Sequence, residues 1–415
     1  MTARDRETLE AAKKSGASRI VRFPRCRTGR LICISDIHGY DRLFSTLLRR
    51  LQLREDDQLV LLGDYVERGP ENRRVLRRIR ALAARPNTLL LQGNNDLVSR
   101  WLLEKAETGE ALHYLGQYPQ CLLGEWMAEL GWTGSRLPDE KTFSCYRRAI
   151  LRNHAEAMEF LASLPLMAET GEFVFVHAAL EDRPDWQNSG EEVCLTYSRY
   201  LQEGVNPTGK WVVTGHWPTY NILPEAFRGR ETLPGLPPEE GKGASCHPVA
   251  FCDRRIIGID GGLGTKSFPQ LNALCIAPDG SVTVLFEDGA PSAVALRDAP
   301  HPSSGQRMRD DWPNNRLEIL ETGHYFSLCR REGWPYTGLV KNEHIGERKG
   351  RPAYAKGSTS HFLSVRKGER LHVLDDACEG FAYVRNESGV MGWLEKDAFR
   401  RTSSVLHERR KDGEE

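Results

Sequence analysis

Five short polar motifs in this chain are built from residue types that bind divalent cations or phosphate. Ser35-Asp36-Ile37-His38-Gly39 sets a carboxylate and an imidazole two positions apart in a turn, where both can point at one ion. Gly63-Asp64-Tyr65-Val66-Glu67-Arg68-Gly69 offers an Asp that can bridge two cations and an Arg whose planar fork can grip a phosphate. Gly93-Asn94-Asn95-Asp96 offers an amide oxygen able to complete a metal shell. His177 and Gly215-His216 add two imidazoles. Each has a plainer reading when taken alone. Asp-x-His and Gly-Asp after a strand are ordinary polar turns, and a single histidine is usually structural. Five such sites in one chain, all in the same local setting, point to one shared centre.

That setting is the end of a strand. Leu31-Ile32-Cys33-Ile34, Leu59-Val60-Leu61-Leu62, Thr88-Leu89-Leu90-Leu91, Phe173-Val174-Phe175-Val176 and Trp211-Val212-Val213 are short apolar runs, each followed by one motif. Uninterrupted apolar runs of this length suit strands buried on both faces. Between them, Arg42 to Leu53 and Asn72 to Ala84 space their apolar residues at helical intervals. Ser99 to Leu164 is mostly helical in pattern, broken at Gly116, Pro119 and Gly131 to Pro138. The alternation predicts an α/β core, and ligands of open α/β sheets gather at the carboxyl ends of strands. Further strands are expected at Arg255 to Ile259, Ala273 to Ile276 and Val282 to Phe286, after a Gly/Pro-rich loop from Pro224 to Cys246.

At 415 residues, two or three domains are expected. Lys plus Arg and Asp plus Glu balance at 57 each, which removes any global attraction to nucleic acid or anionic membrane. The Arg-rich stretch from Arg73 to Arg80 reads as the wet face of a helix. No run approaches the ~20 apolar residues that span a bilayer, and the N-terminus lacks a secretory apolar segment. The ten cysteines include no Cys-x-x-Cys pair; Cys33 and Cys275 read as small core residues, and Cys246 and Cys252 around His247 fit no common zinc spacing. Reduced thiols in a cytoplasm are the simplest expectation.

From Arg30 to about Phe286 the chain resembles the calcineurin-like metallophosphoesterases, in their phosphoprotein phosphatase branch. The likeness rests on the five motifs, on Leu164-Pro165, on Val176-His177-Ala178 and on Ile259-Asp260-Gly261-Gly262. It implies two packed sheets flanked by helices. It also implies one metal held by Asp36, His38 and Asp64, and a second held by Asp64, Asn94, His177 and His216. Mixed carboxylate, amide and imidazole donors suit Mn²⁺ first, with Fe or Zn²⁺ as alternatives. Two such ions would clamp a phosphoryl group and supply a bridging hydroxide for in-line attack, while Arg68 neutralises the equatorial oxygens.

The chain departs from the branch at its proton donor. The branch has His after the metal-binding Asn and an Asp partner in the second motif; here these positions hold Asn95 and Glu67. Asn carries no titratable proton, and loss of general-acid catalysis costs ~10²–10⁴ in rate. Asp96 and His247 are the candidate replacements. The leading expectation is a Ser/Thr-type phosphoprotein phosphatase. The alternatives are a hydrolase of dinucleoside tetraphosphates and a metal-binding pseudo-phosphatase that presents its C-terminal part as an interaction module.

That C-terminal part contains an internal repeat. Arg316-Leu317-Glu318-Ile319-Leu320 matches Arg370-Leu371-His372-Val373-Leu374, and at the same offset Arg331 falls on Arg385, Gly338-Leu339 on Gly392-Trp393 and Ile345 on Phe399. Alternating short strands with turn residues between them predict two small β modules. The copy from Gly350 to Arg401 resembles the Src-homology-3 (SH3-like) barrel through Lys367 to Leu374 and Gly392-Trp393-Leu394. Phe381-Ala382, Glu395 and Ala398 replace the aromatic, Pro and Tyr positions of a proline-peptide groove, so a lid or another protein surface is expected there. The expected division is an arm at 1–29, a catalytic domain at 30–290, SH3-like repeats at 291–346 and 347–401, and a charged tail at 402–415.

Overall fold

The computed structural model describes residues 20–222, 233, 236, 246–265, 270–301, 316–332, 337–348, 350–354 and 361–402. The first part of the expected arm, most of the 224–246 loop and the tail beyond 402 lie outside the described residues. The chain forms two compact units, the first of Met1–Pro238, His247–Thr265 and Pro269–Glu287 and the second mainly of Asp288–Glu415.

The first unit holds two sheets. One runs in the order β11-β10-β2-β3-β4, with β2 at Leu31–Ile34, β3 at Gln58–Leu61, β4 at Thr88–Leu90, β10 at Leu271–Ile276 and β11 at Val282–Glu287. The other runs β1-β5-β6-β7-β9-β8, with β1 at Ile20–Arg22, β5 at Met167–Glu169, β6 at Phe173–Val176, β7 at Trp211–Thr214, β8 at Val249–Phe251 and β9 at Ile256–Gly258. β2, β3 and β4 are parallel, as are β6, β7 and β9. The apolar runs alternate between two buried layers. Leu31, Cys33, Val60, Leu62 and Leu89 meet Phe175, Val213 and Ile257 between the sheets. Ile32, Ile34, Leu59, Leu61 and Leu90 face the other way, under helix residues Phe44, Leu47, Val75 and Ile79. Val174, Val176, Val212 and Ile256 do the same beneath Leu195, Tyr200 and Leu201. Both faces of the central strands are therefore dry, and each such large apolar side chain contributes about 1.5–3 kcal/mol of burial. This is the two-sheet sandwich flanked by helices.

The helices Asp41–Leu51 and Asn72–Ala83 fill the expected helical stretches. Val75, Leu76 and Ile79 are buried while Arg73, Arg74, Arg77 and Arg80 are exposed, so the Arg-rich stretch is a solvated face. Five helices between Val98 and Ala162 break at Pro119 and across Gly131 to Pro138. The end of the expected arm differs from expectation: Ile20–Arg22 is an edge strand paired in parallel with β5, and Val21 is buried between the sheets. No described helix is long and apolar enough to cross a membrane.

The second unit is all β. The repeat recurs as Leu317–Thr322, Phe326–Arg331 and Thr337–Lys341 (β13–β15) in one copy and as Arg370–Asp375, Phe381–Asn386 and Met391–Glu395 (β18–β20) in the other. Each copy carries a register irregularity at the equivalent place, between Ile319 and Glu321 and between Val373 and Asp375. Ser292–Ala295 (β12), assigned by the sequence to the first repeat, pairs instead with β18 and with Phe399–Arg401 (β21). Its small residues Ala293 and Ala295 fit under Leu371 and Phe399 in the second copy's core. Among the described residues the sheets remain open, with no ladder closing either copy into a barrel.

Candidate two-metal centre

The five motifs leave the carboxyl ends of β2, β3, β4, β6 and β7, and in the first, second and fifth the chain turns sharply. Asp36, His38, Asp64, Glu67, Arg68 and His216 all adopt positive φ, between 48° and 72°. Side chains rarely accept this conformation, and it persists only where surrounding bonds over-determine it, typically at functional sites. Here the bonds are visible. Asp36 N–H donates to Gly63 O, His38 N–H to Asp64 O and Gly39 N–H to Tyr65 O, so the first two loops continue their strands' pairing. The Asp96 carboxylate accepts from the N–H groups of Gly93 at 2.9 Å, Asp64 at 3.0 Å and Tyr65 at 2.8 Å. Asp96 is therefore the tie between the second and third motifs. Its oxygens are committed to these backbone N–H groups.

Two clusters of metal-ligating atoms result, each spanning no more than 4.8 Å: Asp36, His38 and Asp64, and Asp64, His177 and His216. Asp64 belongs to both. Its Oδ2 lies 3.6 Å from His38 Nε2 and its Oδ1 lies 3.5 Å from His177 Nε2. Asn94 Oδ1 sits 3.1 Å from His177 Nε2 and 3.0 Å from His216 Nδ1. Asp36 Oδ2 accepts from Ser35 Oγ and from His216 N–H, whereas its Oδ1 is buried with no hydrogen-bond partner and lies 3.9 Å from His38 Nε2.

The donor set fits divalent cations. Each histidine has a backbone carbonyl at its far nitrogen: Leu62 O at 2.7 Å from His177 Nδ1, Thr196 O at 3.1 Å from His216 Nε2, and Val66 O at 3.4 Å from His38 Nδ1. Such partners fix the tautomer that leaves the near nitrogen's lone pair for a metal. Those lone pairs then converge with an amide oxygen and two carboxylates, an arrangement that repels itself unless a positive charge sits within it. Burial holds His38 down at about 3 and His216 at about 4, so both are neutral ligands near pH 7. Burial would also lower His177, but the Asp64 and Asp36 carboxylates outweigh it and raise it to about 10. Without a cation, a proton on His177 takes its place.

Metal uptake should therefore release protons. Between pH 6 and 10 the proton displaced comes from His177, so apparent affinity at that site should rise about tenfold per pH unit and level off above about 10. Below about pH 6 the Asp36 carboxyl, raised by burial, adds a second proton. Calorimetric titration in buffers of different ionisation heat measures the release; a heat independent of buffer at pH 7 would contradict it.

Packing leaves no slack around the ligands. A β-carbon at Gly93 would stand under 3.0 Å from both the nitrogen and Oδ1 of Asp64. Gly93→Ala should lower metal affinity by roughly 10–100-fold, the scale seen when a ligand's support is disturbed. Equilibrium dialysis measures this, with circular dichroism as the control for an intact fold.

Asn95 and Glu67 do not meet as an acid pair. Asn95 donates to Asp64 twice, from N–H to Oδ1 at 2.8 Å and from Nδ2 to Oδ2 at 2.6 Å. Glu67 is buried on the helical side, where it accepts from Ser99 Oγ at 2.5 Å and Tyr114 Oη at 3.3 Å. Burial pushes its carboxyl up to about 7. His247 packs edge-on against Phe286 on β11. Arg68, half-buried, lies close enough to depress both His38 and His216 by its charge. Asp260, which the motifs above name only as part of the family likeness, also borders the centre. It is buried, its Oδ1 accepts from Gly262 N–H at 2.7 Å, and it shapes the loop whose Gly264 packs against Arg68 and His38. Asp-Gly-Gly after the apolar Ile256–Ile259 run is the same strand-end pattern as the five motifs and was its available signal.

The sequence pattern of the family described as calcineurin-like phosphoesterases matches residues 29–237, half of the chain. The chain belongs to the calcineurin-like phosphoesterases. Among curated relatives of this phosphoesterase is a symmetrical bis(5'-nucleosyl)-tetraphosphatase of Delftia acidovorans, 44% identical over 68 residues, which are 16% of this chain and 24% of that protein. Another of the same name, from Vibrio parahaemolyticus, is 28% identical over 172 residues, 41% of this chain and 52% of that protein. The chain thus spans about half or less of the length of the curated relatives it matches. Among solved structures, a protein serine/threonine phosphatase of Saccharomyces cerevisiae aligns over 72% of this chain and 90% of its own, with 12% identity and a TM-score of 0.38. The family is one of metallophosphoesterases, and both candidate ligand clusters of this chain lie at strand ends.

Proposed function

We propose that this phosphoesterase hydrolyses phosphoanhydride bonds of nucleotide polyphosphates in preference to phosphoserine esters. This reverses the order in which the sequence ranked the two substrates. The observation that carries the reading is Asn95: the residue standing at the proton donor's place has its amide on Asp64 and no proton to give. A phosphate leaving group, with its second pKa near ~6, departs as an anion without help at neutral pH. A serine alkoxide does not, and forfeits the ~10²–10⁴ that general-acid catalysis supplies. The names of the curated relatives agree with this choice.

Asp36, His38 and Asp64 would hold one divalent cation, and Asp64, Asn94, His177 and His216 a second, Mn²⁺ being the best match to the donors. When bound, such ions supply Lewis acidity toward phosphoryl oxygens and acidify water. Asp64 sets the spacing by giving one oxygen to each cluster. Asn95 holds that carboxylate in place from both its backbone and its side chain. Arg68 brings a planar cation to the phosphoryl oxygens, where developing charge is stabilised.

The test compares kcat/KM for diadenosine tetraphosphate and a phosphoserine peptide with Mn²⁺ present. The tetraphosphate should be preferred by at least ~10². Equal rates would reject the reading, and no turnover of either, with metal bound, would favour the pseudo-phosphatase.

A further inference from the structure

The second unit contains another group of metal-ligating side chains, made by His344, Asp375 and Cys378. None belongs to the five motifs. His344 ends the short turn Asn342–His344 that follows β15 in the first copy of the repeat. Asp375 ends β18 in the second copy, at the register irregularity, and Cys378 lies in the turn that follows. One donor atom from each lies within 4.8 Å of the others.

His344 is the telling residue. It is fully buried, and neither ring nitrogen has a hydrogen-bond partner. Buried imidazoles are nearly always satisfied, so an exception asks for a missing partner. The Trp393 ring packs edge-on against it with centroids 5.1 Å apart, which excludes bulk water from that side. Asp375 Oδ2 stands 3.5 Å from Nε2, beyond the ~2.7–3.2 Å of an ordinary hydrogen bond. That separation suits a shared ion. Two donors each about 2.1 Å from zinc, at tetrahedral angles, lie roughly 3.4 Å apart. Asp375 is also aimed, because its Oδ1 accepts from Ala377 N–H at 2.9 Å and leaves Oδ2 toward His344.

We infer that His344, Asp375 and Cys378 bind a structural Zn²⁺ ion that clamps the two copies of the repeat together. Thiolate, imidazole and carboxylate together select zinc over Mn²⁺. On binding, the Cys378 thiol gives its proton to solvent, and water or another donor takes the fourth position. The first copy has a reason to need the clamp. Its core cluster holds only Leu317, Cys329 and Val340 among the described residues, with Ile345 packed beside them. Small modules with so little core rely on a metal, a disulfide or a neighbour.

The inference is independent of the substrate proposed above, and cobalt separates the two sites. None of Asp36, His38, Asp64, Asn94, His177 and His216 carries sulfur. The protein stripped of metal and reloaded with one equivalent of Co²⁺ per site should therefore show a thiolate-to-cobalt charge-transfer band in the near ultraviolet that the catalytic ligands cannot supply and Cys378 can. The band should disappear in Cys378→Ser, which should keep its aryl phosphatase activity. Its absence from wild type, or its persistence in Cys378→Ser, would overturn the inference. Should that variant fail to fold, zinc X-ray absorption of the wild-type chain decides. One sulfur neighbour near ~2.3 Å is expected, and a shell of nitrogen and oxygen alone would overturn the assignment.

Discussion

Asp64→Asn should strip both catalytic metals and lower aryl phosphate hydrolysis by more than about 10³-fold. One lost transition-state donor already costs ~10²–10³, and here two cations lose their shared ligand. The size of the effect follows from geometry, since the two Asp64 oxygens face different clusters, His38 Nε2 at 3.6 Å and His177 Nε2 at 3.5 Å. The amide of Asn keeps the volume but removes the charge. It also places an NH₂ where one oxygen now accepts from Asn95. The apo chain should lose stability as well. His177 is held protonated up to about pH 10 and Asp64 is held ionised below its ordinary range, mainly by that imidazolium. Their pairing therefore stabilises the metal-free fold from about pH 4 to about pH 6.5 in full. The stabilisation fades as pH rises through 10, where the folded-state imidazolium deprotonates. Elemental analysis and thermal unfolding at pH 6 read both consequences. Undiminished metal in Asp64→Asn would sink the bridging assignment.

Asn95→His should raise hydrolysis of alkyl phosphates while changing aryl phosphates little, because only the poor leaving group needs a proton. The gain should stay at the low end of ~10²–10⁴. An imidazole there lacks a ready partner, since the Glu67 carboxylate is already taken by Ser99 and Tyr114. Adding Glu67→Asp shortens that side chain and frees it from both hydroxyls. The double variant should then exceed the two singles together in transition-state stabilisation, as coupled neighbours do. It should also unfold more easily, by about 1–3 kcal/mol, because buried hydroxyls lose their acceptor. Rates on a matched pair of alkyl and aryl phosphates test this, with metal content as the control. A wild-type chain that already cleaves the alkyl ester as fast as the aryl ester would end the argument.

Much of the catalytic unit was legible in the chain itself. Strands buried on both faces need unbroken apolar runs, and Leu31–Ile34, Leu59–Leu62 and Phe173–Val176 announce themselves that way. A polar, metal-competent turn after each run can only sit at a strand end, so the six candidate ligands and their order could be named before any geometry. The repeat was legible too, and the structure adds equivalent register irregularities in β13 and β18. Tertiary structure alone decided which way polar side chains turn. Glu67 and Asn95 stand where a proton-donating pair would be, yet one is drawn to Ser99 and Tyr114 on distant helices and the other to Asp64. Asp96 looked like a free acid and is a tie for three backbone N–H groups. β12 lies beside the first repeat in sequence and joins the second in space, where Ala293 and Ala295 share a buried cluster with Leu371 and Phe399. His344, Asp375 and Cys378 share no local motif. Periodicity and motif report what a residue's own neighbours in the chain require. A buried carboxylate, amide or imidazole goes wherever a complementary group satisfies it, and that group is set by folding across tens of residues.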